Sequence, residues 1–421
     1  MLITPSHVRL PRPARRNGGR RGRIRRAPRR GVVALLAIWM LVIFVLTAAW
    51  VLNYNFLVLL GRNLQQKCDA IALAAAPALL DEDLLRDYPA PPVPNQIDDC
   101  AEAERVASRY RELNNQAQSP AFRVPSSALT IESGFVADLT GETPYRFDRS
   151  IPLGDPISPR NTLHVSSQRT IGGDHPVRYL LNLLGGDAAP AADLRSGAFA
   201  TLDNLVIGFR PEASASSPVM PLAISTDAWR IERAAGDDAN GNGIRELLLR
   251  LESPDQQPAD ANSVLVFFDG NVDLDALSAQ MLLGLFPDDL PPDGRLGPAT
   301  PSSPCSVAAV REVDPLQDGE RNRELAGALS RLADDGAVRV FPLFDSRGDS
   351  PEGQNGRRAW EQVRLIGFVA ATVLDAAVVD RRLTATIEPA FLIHCTAWTA
   401  GPGDPARPEP NLYLHKLRLS H

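Results

Sequence analysis

Motifs that carry enzymatic chemistry are missing from this chain. Six histidines (His7, His164, His175, His394, His415 and His421) are scattered, and no two stand at the i, i+4 spacing of a helical zinc site. There is no Gly-x-Ser-x-Gly elbow and no phosphate-binding Gly-x4-Gly-Lys-Ser/Thr loop. His394 stands beside Cys395, but in an apolar run and with no third group placed to orient a base. The acid pairs Asp237-Asp238, Asp288-Asp289 and Asp334-Asp335 read as solvated loop charges. A non-enzymatic chain with no small-molecule substrate is the expectation. Cysteine is scarce too: Cys68, Cys100, Cys305 and Cys395 allow three pairings, with Cys68–Cys100 and Cys305–Cys395 the pair sterically imaginable, and buried free thiols fit the sequence equally.

Charge is absent where it matters most. From Gly31 through Trp39 and Trp50 to Leu52 the chain holds no charged side chain, and Thr47 carries its one hydroxyl. A bilayer core of about 30 Å takes roughly 20 apolar residues in a helix that pairs every backbone polar group internally. No other window is as long and apolar, so a single pass is expected, with Trp39, Trp50 and Tyr54 suited to an interfacial belt.

Acid is likewise missing from the first thirty residues, which contain eleven arginines. The whole chain has 44 basic and 50 acidic residues; setting those eleven aside leaves 33 against 50, a net −17 from Gly31 onward. Basic before the span and acidic after it predicts a cytoplasmic N-terminus and an extracytoplasmic remainder. The same arginines would suit anionic lipid headgroups, or nucleic acid as a competing use; no nucleic acid is expected. The apolar run exceeds the usual length of a cleaved signal and lacks an Ala-x-Ala site, which favours an uncleaved signal-anchor, although Ala48-Ala49 leaves cleavage open. Residues 1–30, rich in Arg, Pro and Gly, have too little apolar surface to fold.

Beyond the span, Leu60, Leu64, Cys68, Ile71, Ala75 and Leu79 recur at spacings of three and four. The pattern predicts that the helix continues as an amphipathic stalk over 53–88, broken near Pro77 and stopped by the proline run from Pro89 to Pro94. From Gly31 to Leu80 such a helix would measure roughly 75 Å at 1.5 Å per residue. The apolar face, with Leu60, Leu64, Ile71 and Leu79, must be covered either by a partner protein or by the chain's own domain. Residues 89–120 read as a linker followed by a short helix over about 98–114.

The remaining residues, 121–421, have the texture of β structure: short runs at 162–167, 177–184, 202–209, 229–233, 244–251, 264–268, 337–344, 363–373 and 383–394, divided by Pro, Gly, Asp and Ser. Helices are expected over 273–285 and 321–332, with a loop-rich middle at 287–315 that would separate two subdomains if there are two. The fold class is α+β: a transmembrane helix, an amphipathic rod and a β-rich mixed extracytoplasmic domain.

One loop has ligand spacing. Asp238, Asn240, Asn242 and Glu246 occupy positions 1, 3, 5 and 9 of a calcium-type loop with Gly243 at position 6, but position 12 is Leu249. Asn and Gly also suit an ordinary hairpin turn, so both readings stand, and calcium is the one cofactor to consider. Arg347-Gly-Asp349 matches an integrin-binding tripeptide inside a polar loop that needs no such role.

The stretch RRGVVALLAIWML from Arg29, followed by GRNLQQKCDAIALAAAPALL with Leu64-Gln65-Gln66 leading into Asp69-Ala-Ile-Ala72, resembles the N-terminal region of the TadE/TadG-like group of Tad/Flp (tight adherence) pilus-assembly proteins. The likeness covers about the first ninety residues; NTLHVSSQRT, SGAFATLDNLVIGFRP, PVMPLAI and VRLIGFVAATVLDA look similar to the ectodomains attached to such anchors. The resemblance implies a bacterial inner-membrane protein whose partners are pilus-assembly or envelope proteins met through the stalk helix. The von Willebrand A metal motif of some members is not matched, because Ser263–Phe268 runs into Asp269-Gly-Asn-Val-Asp273 without the two serines. Leu36 stands where a pilin subunit has an acid, which implies an accessory component. The competing reading is a signal-anchored extracellular enzyme or carbohydrate-binding module.

Overall fold

The computed structural model describes residues 30–80, 83–86, 96–116, 118, 122–137, 146–151, 160–171, 176–181, 191–251, 261–268, 274–309, 315–345, 362–379, 382–401 and 408–420. The Arg-rich tail, the proline run, Asp269–Asp273 and the Arg347-Gly-Asp349 tripeptide lie outside these residues.

The first helix, α1, runs unbroken over Arg30–Ala75, and a 3-10 turn at Ala76–Leu79 follows it. Pro77 lies in the first turn of that 3-10 segment. Lacking an N–H, it cannot continue the helical ladder, so α1 stops one turn short of Leu80. Two compact units divide the chain. The first comprises Met1–Leu57 with Tyr179–Ala189, the second Val58–Arg178 with Pro190–His421.

Within the second unit, α2 (Asp83–Arg86) and α3 (Gln96–Gln116) precede a sheet built from β1 (Leu129–Gly134), β2 (Thr162–Arg169), β5 (Leu194–Asp203), β14 (Leu392–Ile393) and β16 (Leu414–Ser420), in the order β1-β2-β5-β16-β14. Leu163 faces Ala200 and Val165 faces Ala198 across the β2–β5 ladder. These four side chains, with Leu202, form an apolar floor that receives Cys68, Ile71, Ala72 and Ala75 of α1 and Cys100, Ala103 and Ala107 of α3. Ala at these positions leaves room for helices and sheet to approach closely. β3 (Val177–Arg178) and β4 (Ala191–Ala192) form a small separate ladder.

The second, seven-stranded sheet has the order β10-β9-β7-β11-β12-β13-β8, from β7 (Leu222–Ser225), β8 (Leu247–Arg250), β9 (Ser263–Phe267), β10 (Cys305–Ala309), β11 (Val338–Phe344), β12 (Gln362–Val379) and β13 (Arg382–Pro389). Leu365 on β12 faces Phe344 of β11 on one edge and Cys305 of β10 on the other, and β10 also pairs with β9. Strands β10, β9, β7, β11 and β12 therefore close into a five-stranded barrel, which removes its own edges. Beyond Val373, β12 continues as a ribbon with β13 and β8. All five residues of β9 are buried, as in a strand covered on both faces. Over this sheet lies α6 (Pro315–Asp335), with α5 (Leu274–Leu283) packed against it; Leu325, Leu329 and Leu332 give α6 a buried stripe at spacings of four and three. A short ladder of β6 (Val206–Phe209) with β15 (Ala397–Thr399), the helix α4 (Thr226–Ala235) and 3-10 turns at Ser126–Ala128 and Pro287–Asp289 complete the described elements.

The mixed character and the β-rich remainder agree with the expectation, with several corrections. Residues 229–233, expected as strand, belong to α4. Asp227 in its first turn and Arg233 in its last suit the helix dipole, and Trp229 and Arg233, four apart, form the buried face while Ile231 is exposed. The run 202–209 is two strands, broken at Asn204-Leu205. Strand structure in 177–184 ends at Arg178, and residues 182–184 are outside the described set. The loop-rich stretch 287–315 contains β10, whose pairing with β9 and β12 carries the sheet across it.

Candidate functional site

From Val32 to Leu46 every residue of α1 is exposed, including Trp39 at 63% and Phe44 at 72%. This is the one helix among the described residues long and apolar enough to cross a membrane, and 6% of its most apolar window is buried within the chain. Trp50 and Leu52 are exposed as well, and the Trp50 ring stacks on Tyr54 with centroids 6.1 Å apart. Asn53, the first amide after the apolar run, makes two bonds to one residue. Its Nδ2 donates to the Leu181 carbonyl at 2.9 Å, and its Oδ1 accepts the Leu181 N–H at 2.8 Å.

The stalk face that was expected to meet a partner is covered by the chain itself. Leu60, Leu64, Ile71 and Leu79 are 3%, 4%, 1% and 9% exposed. An amphipathic helix must bury its apolar stripe, and here the floor of β2 and β5 with α3 takes Ile71 and Leu79, so these side chains are not on offer to another protein. Polar groups fix the packing. Gln65 Nε2 donates to the Gly197 carbonyl of β5 at 2.9 Å, and the buried Lys67 ammonium donates to Asn115 Oδ1 at 3.3 Å and to the Phe122 carbonyl. Burial, reinforced by the Arg169 charge, lowers the Lys67 pKa. Burial also pushes the Cys68 thiol up to about 12, with Asp69 adding to the rise.

The Asp238 loop joins the helix α4 to the strand β8, so it is not a hairpin turn. Asp238 closes it: Oδ1 accepts the N–H groups of Gly241 and Asn242 at 2.9 and 3.1 Å, and Oδ2 accepts that of Gly243 at 2.9 Å. Gly241 and Gly243 take positive φ angles of 75° and 88°, which glycine adopts without strain. Glu246 Oε1 accepts the Asn240 N–H at 3.2 Å, and the amides of Asn240 and Asn242 both donate to Glu388 Oε2 on β13, at 2.6 and 2.8 Å. Of the four ligand candidates, the oxygens of Asp238 thus face backbone amides and the two Asn side chains face a carboxylate. Sequence reasoning missed Glu388, which lies 146 residues from Asn242 and carries no local signal. Among the described residues no three His, Cys, Asp or Glu side chains come together as a metal-ligand group.

All four cysteines are free thiols. Cys68 and Cys100 share one apolar cluster, Cys305 is half-buried and Cys395 is exposed. His394 does not face Cys395 as a base: its Nδ1 lies 2.8 Å from Thr396 Oγ1, and burial with the Arg339 charge lowers its pKa. An open cleft of about 750 Å³ is lined by Arg111, Arg123 and Arg169, with Glu112 3.2 Å from Arg111. It lies at the C-terminal end of α3, where the helix dipole itself favours cations, so its charge needs no ligand. A second open cleft of about 780 Å³, between Phe268, Asp288, Leu290, Pro291, Ser306 and Val307, has a mixed polar and apolar lining.

Comparison of the chain with protein-family models, with curated proteins and with solved structures finds no match.

Proposed function

We propose that this chain is a single-pass protein of the bacterial inner membrane, with a cytoplasmic N-terminus and a β-rich extracytoplasmic body. It acts without catalysis, by protein–protein binding in Tad/Flp-type pilus assembly or cell-surface adhesion. The observation that carries the reading is the exposure of every side chain from Val32 to Leu46 in an uncharged stretch of α1. Folded chains in water rarely leave so large a contiguous apolar surface bare, whereas a bilayer is the solvent that such a surface fits. The arginines before the helix and the acidic excess after it supply the orientation. Resemblance of residues 29–90 to the TadE/TadG-like group supplies the process. With the stalk face taken up internally, partner contacts are to be sought on the outer side of the body, where Tyr110 and Leu113 of α3 are 42% and 50% exposed.

Alkaline carbonate extraction of cell membranes tests the anchor. The full chain should remain in the membrane pellet, and a Val42→Arg, Phe44→Arg double variant should be released, since each arginine at a span centre costs about 2.5–3.5 kcal/mol on insertion scales. Release of the unaltered chain by carbonate would sink the reading.

A further inference from the structure

The tie between Asn53 and Leu181 joins residues 128 positions apart, and both belong to the compact unit that holds the apolar helix. Around it stands a collar of apolar and aromatic side chains: Trp50 and Tyr54 on α1, 69% and 58% exposed, and Leu180 and Leu181, 59% and 37% exposed. Between Gly31 and Gly61 the helix carries no charge, so the collar adjoins the membrane-crossing surface without a charged break.

We propose that the short segment Tyr179–Leu181 is a second lipid contact, seated in the headgroup–acyl boundary of the same bilayer that α1 enters. This rests on the reading of α1 as a membrane span. Three observations point to lipid as the occupant. The backbone N–H and C=O of Leu181 are both satisfied by one side-chain amide, which is what a segment leaving water requires and what an exposed loop in water does not need. The Asn53 amide is in turn engaged at both its nitrogen and its oxygen by that backbone, so the two groups share two bonds that need no water. Lastly, Trp and Tyr rings stacked at the end of an apolar run are the side chains that bilayer interfaces favour. Asn53 is thus a positioning residue: it holds Leu180 and Leu181 at the level of the aromatic pair.

The test uses the full chain with Cys305→Ser and Cys395→Ser, which leaves the two buried thiols, reconstituted in vesicles of phosphatidylcholine and phosphatidylglycerol. An environment-sensitive fluorophore is placed in turn through Phe44→Cys, Leu180→Cys and Ile231→Cys, and quenching by lipids with spin labels at the headgroup or on the acyl chain is recorded. The labels at 44 and 180 should be quenched, the latter best by shallow quenchers, and the label at 231 should not. Asn53→Ala should bring quenching at 180 down toward the level at 231 while leaving 44 unchanged. Quenching at 44 with none at 180 would overturn the second contact and leave the anchor standing. No quenching at either site would overturn both.

Discussion

Gln65 of α1 donates to the Gly197 carbonyl of β5 at 2.9 Å, so the helix that leaves the apolar segment is bonded directly to the sheet it covers. Leu64 and Cys68, its neighbours on the same face, are 4% and 1% exposed. The stalk is therefore part of the folded body from Leu60 onward, and damage to it should appear as lost stability.

Ile71→Ala opens a cavity in the layer between α1, α3 and the first sheet. It is expected to cost about 2–4 kcal/mol, read as a shift in the urea midpoint of the detergent-solubilised chain. Arg62→Ala, at an exposed position of the same helix, should shift it little. Equal effects of the two would contradict the packing described.

Gly284 stands just after α5 with φ +84°, and a Cβ there would lie 2.0 Å from the Ser217 carbonyl oxygen. Gly284→Ala meets both left-handed strain and backbone overlap, and a loss of more than about 2 kcal/mol in the same assay is expected. Gly327→Ala, where nothing lies near the added carbon, should be neutral or stabilising.

His415 gives the body a pH dependence. Burial drops its pKa from 6.5 to about 4, partly opposed by its bond to the Leu412 carbonyl and by Asp203. The folded value lies below the unfolded one, so as pH falls below about 6.5 the unfolded chain takes up a proton that the folded chain refuses. Stability should drop between pH 6.5 and 4 and level off below, with a total contribution on the order of 3 kcal/mol. Thermal midpoints taken across that window should show a shallower decline in His415→Asn; an unchanged decline would refute the assignment.

Asp238→Ala removes the acceptor of three backbone amides and should cost about 1–2 kcal/mol. Because those amides already engage the carboxylate, the loss should be the same in EDTA as in millimolar calcium. A calcium-dependent midpoint in the unaltered chain, lost in the variant, would restore the ligand role of the loop.

The sequence made α1 legible because uncharged span and three-to-four periodic stalk follow one another with no proline before Pro77. It also showed that the stalk face must be buried, but periodicity does not say against what. The answer lay in Ala198 and Ala200, small residues whose role as a floor has no local signature. Trp229–Arg233 was misread because five residues are too few to separate a period of 2 from one of 3.6. β16 escaped notice because His415, buried and neutral, interrupts its alternation. The features that define the candidate sites, Asn53 with Leu181 and Asn242 with Glu388, join residues more than a hundred positions apart, which no window along the chain can see.

Protease accessibility of a C-terminal tag in intact spheroplasts, with a tag at Met1 as the control, tests the central claim most directly. The account predicts that the C-terminal tag is digested while the N-terminal tag survives in the membrane fraction. A protected C-terminal tag would contradict it: the acidic body would then lie in the cytoplasm, and the role in surface assembly would fall with the orientation.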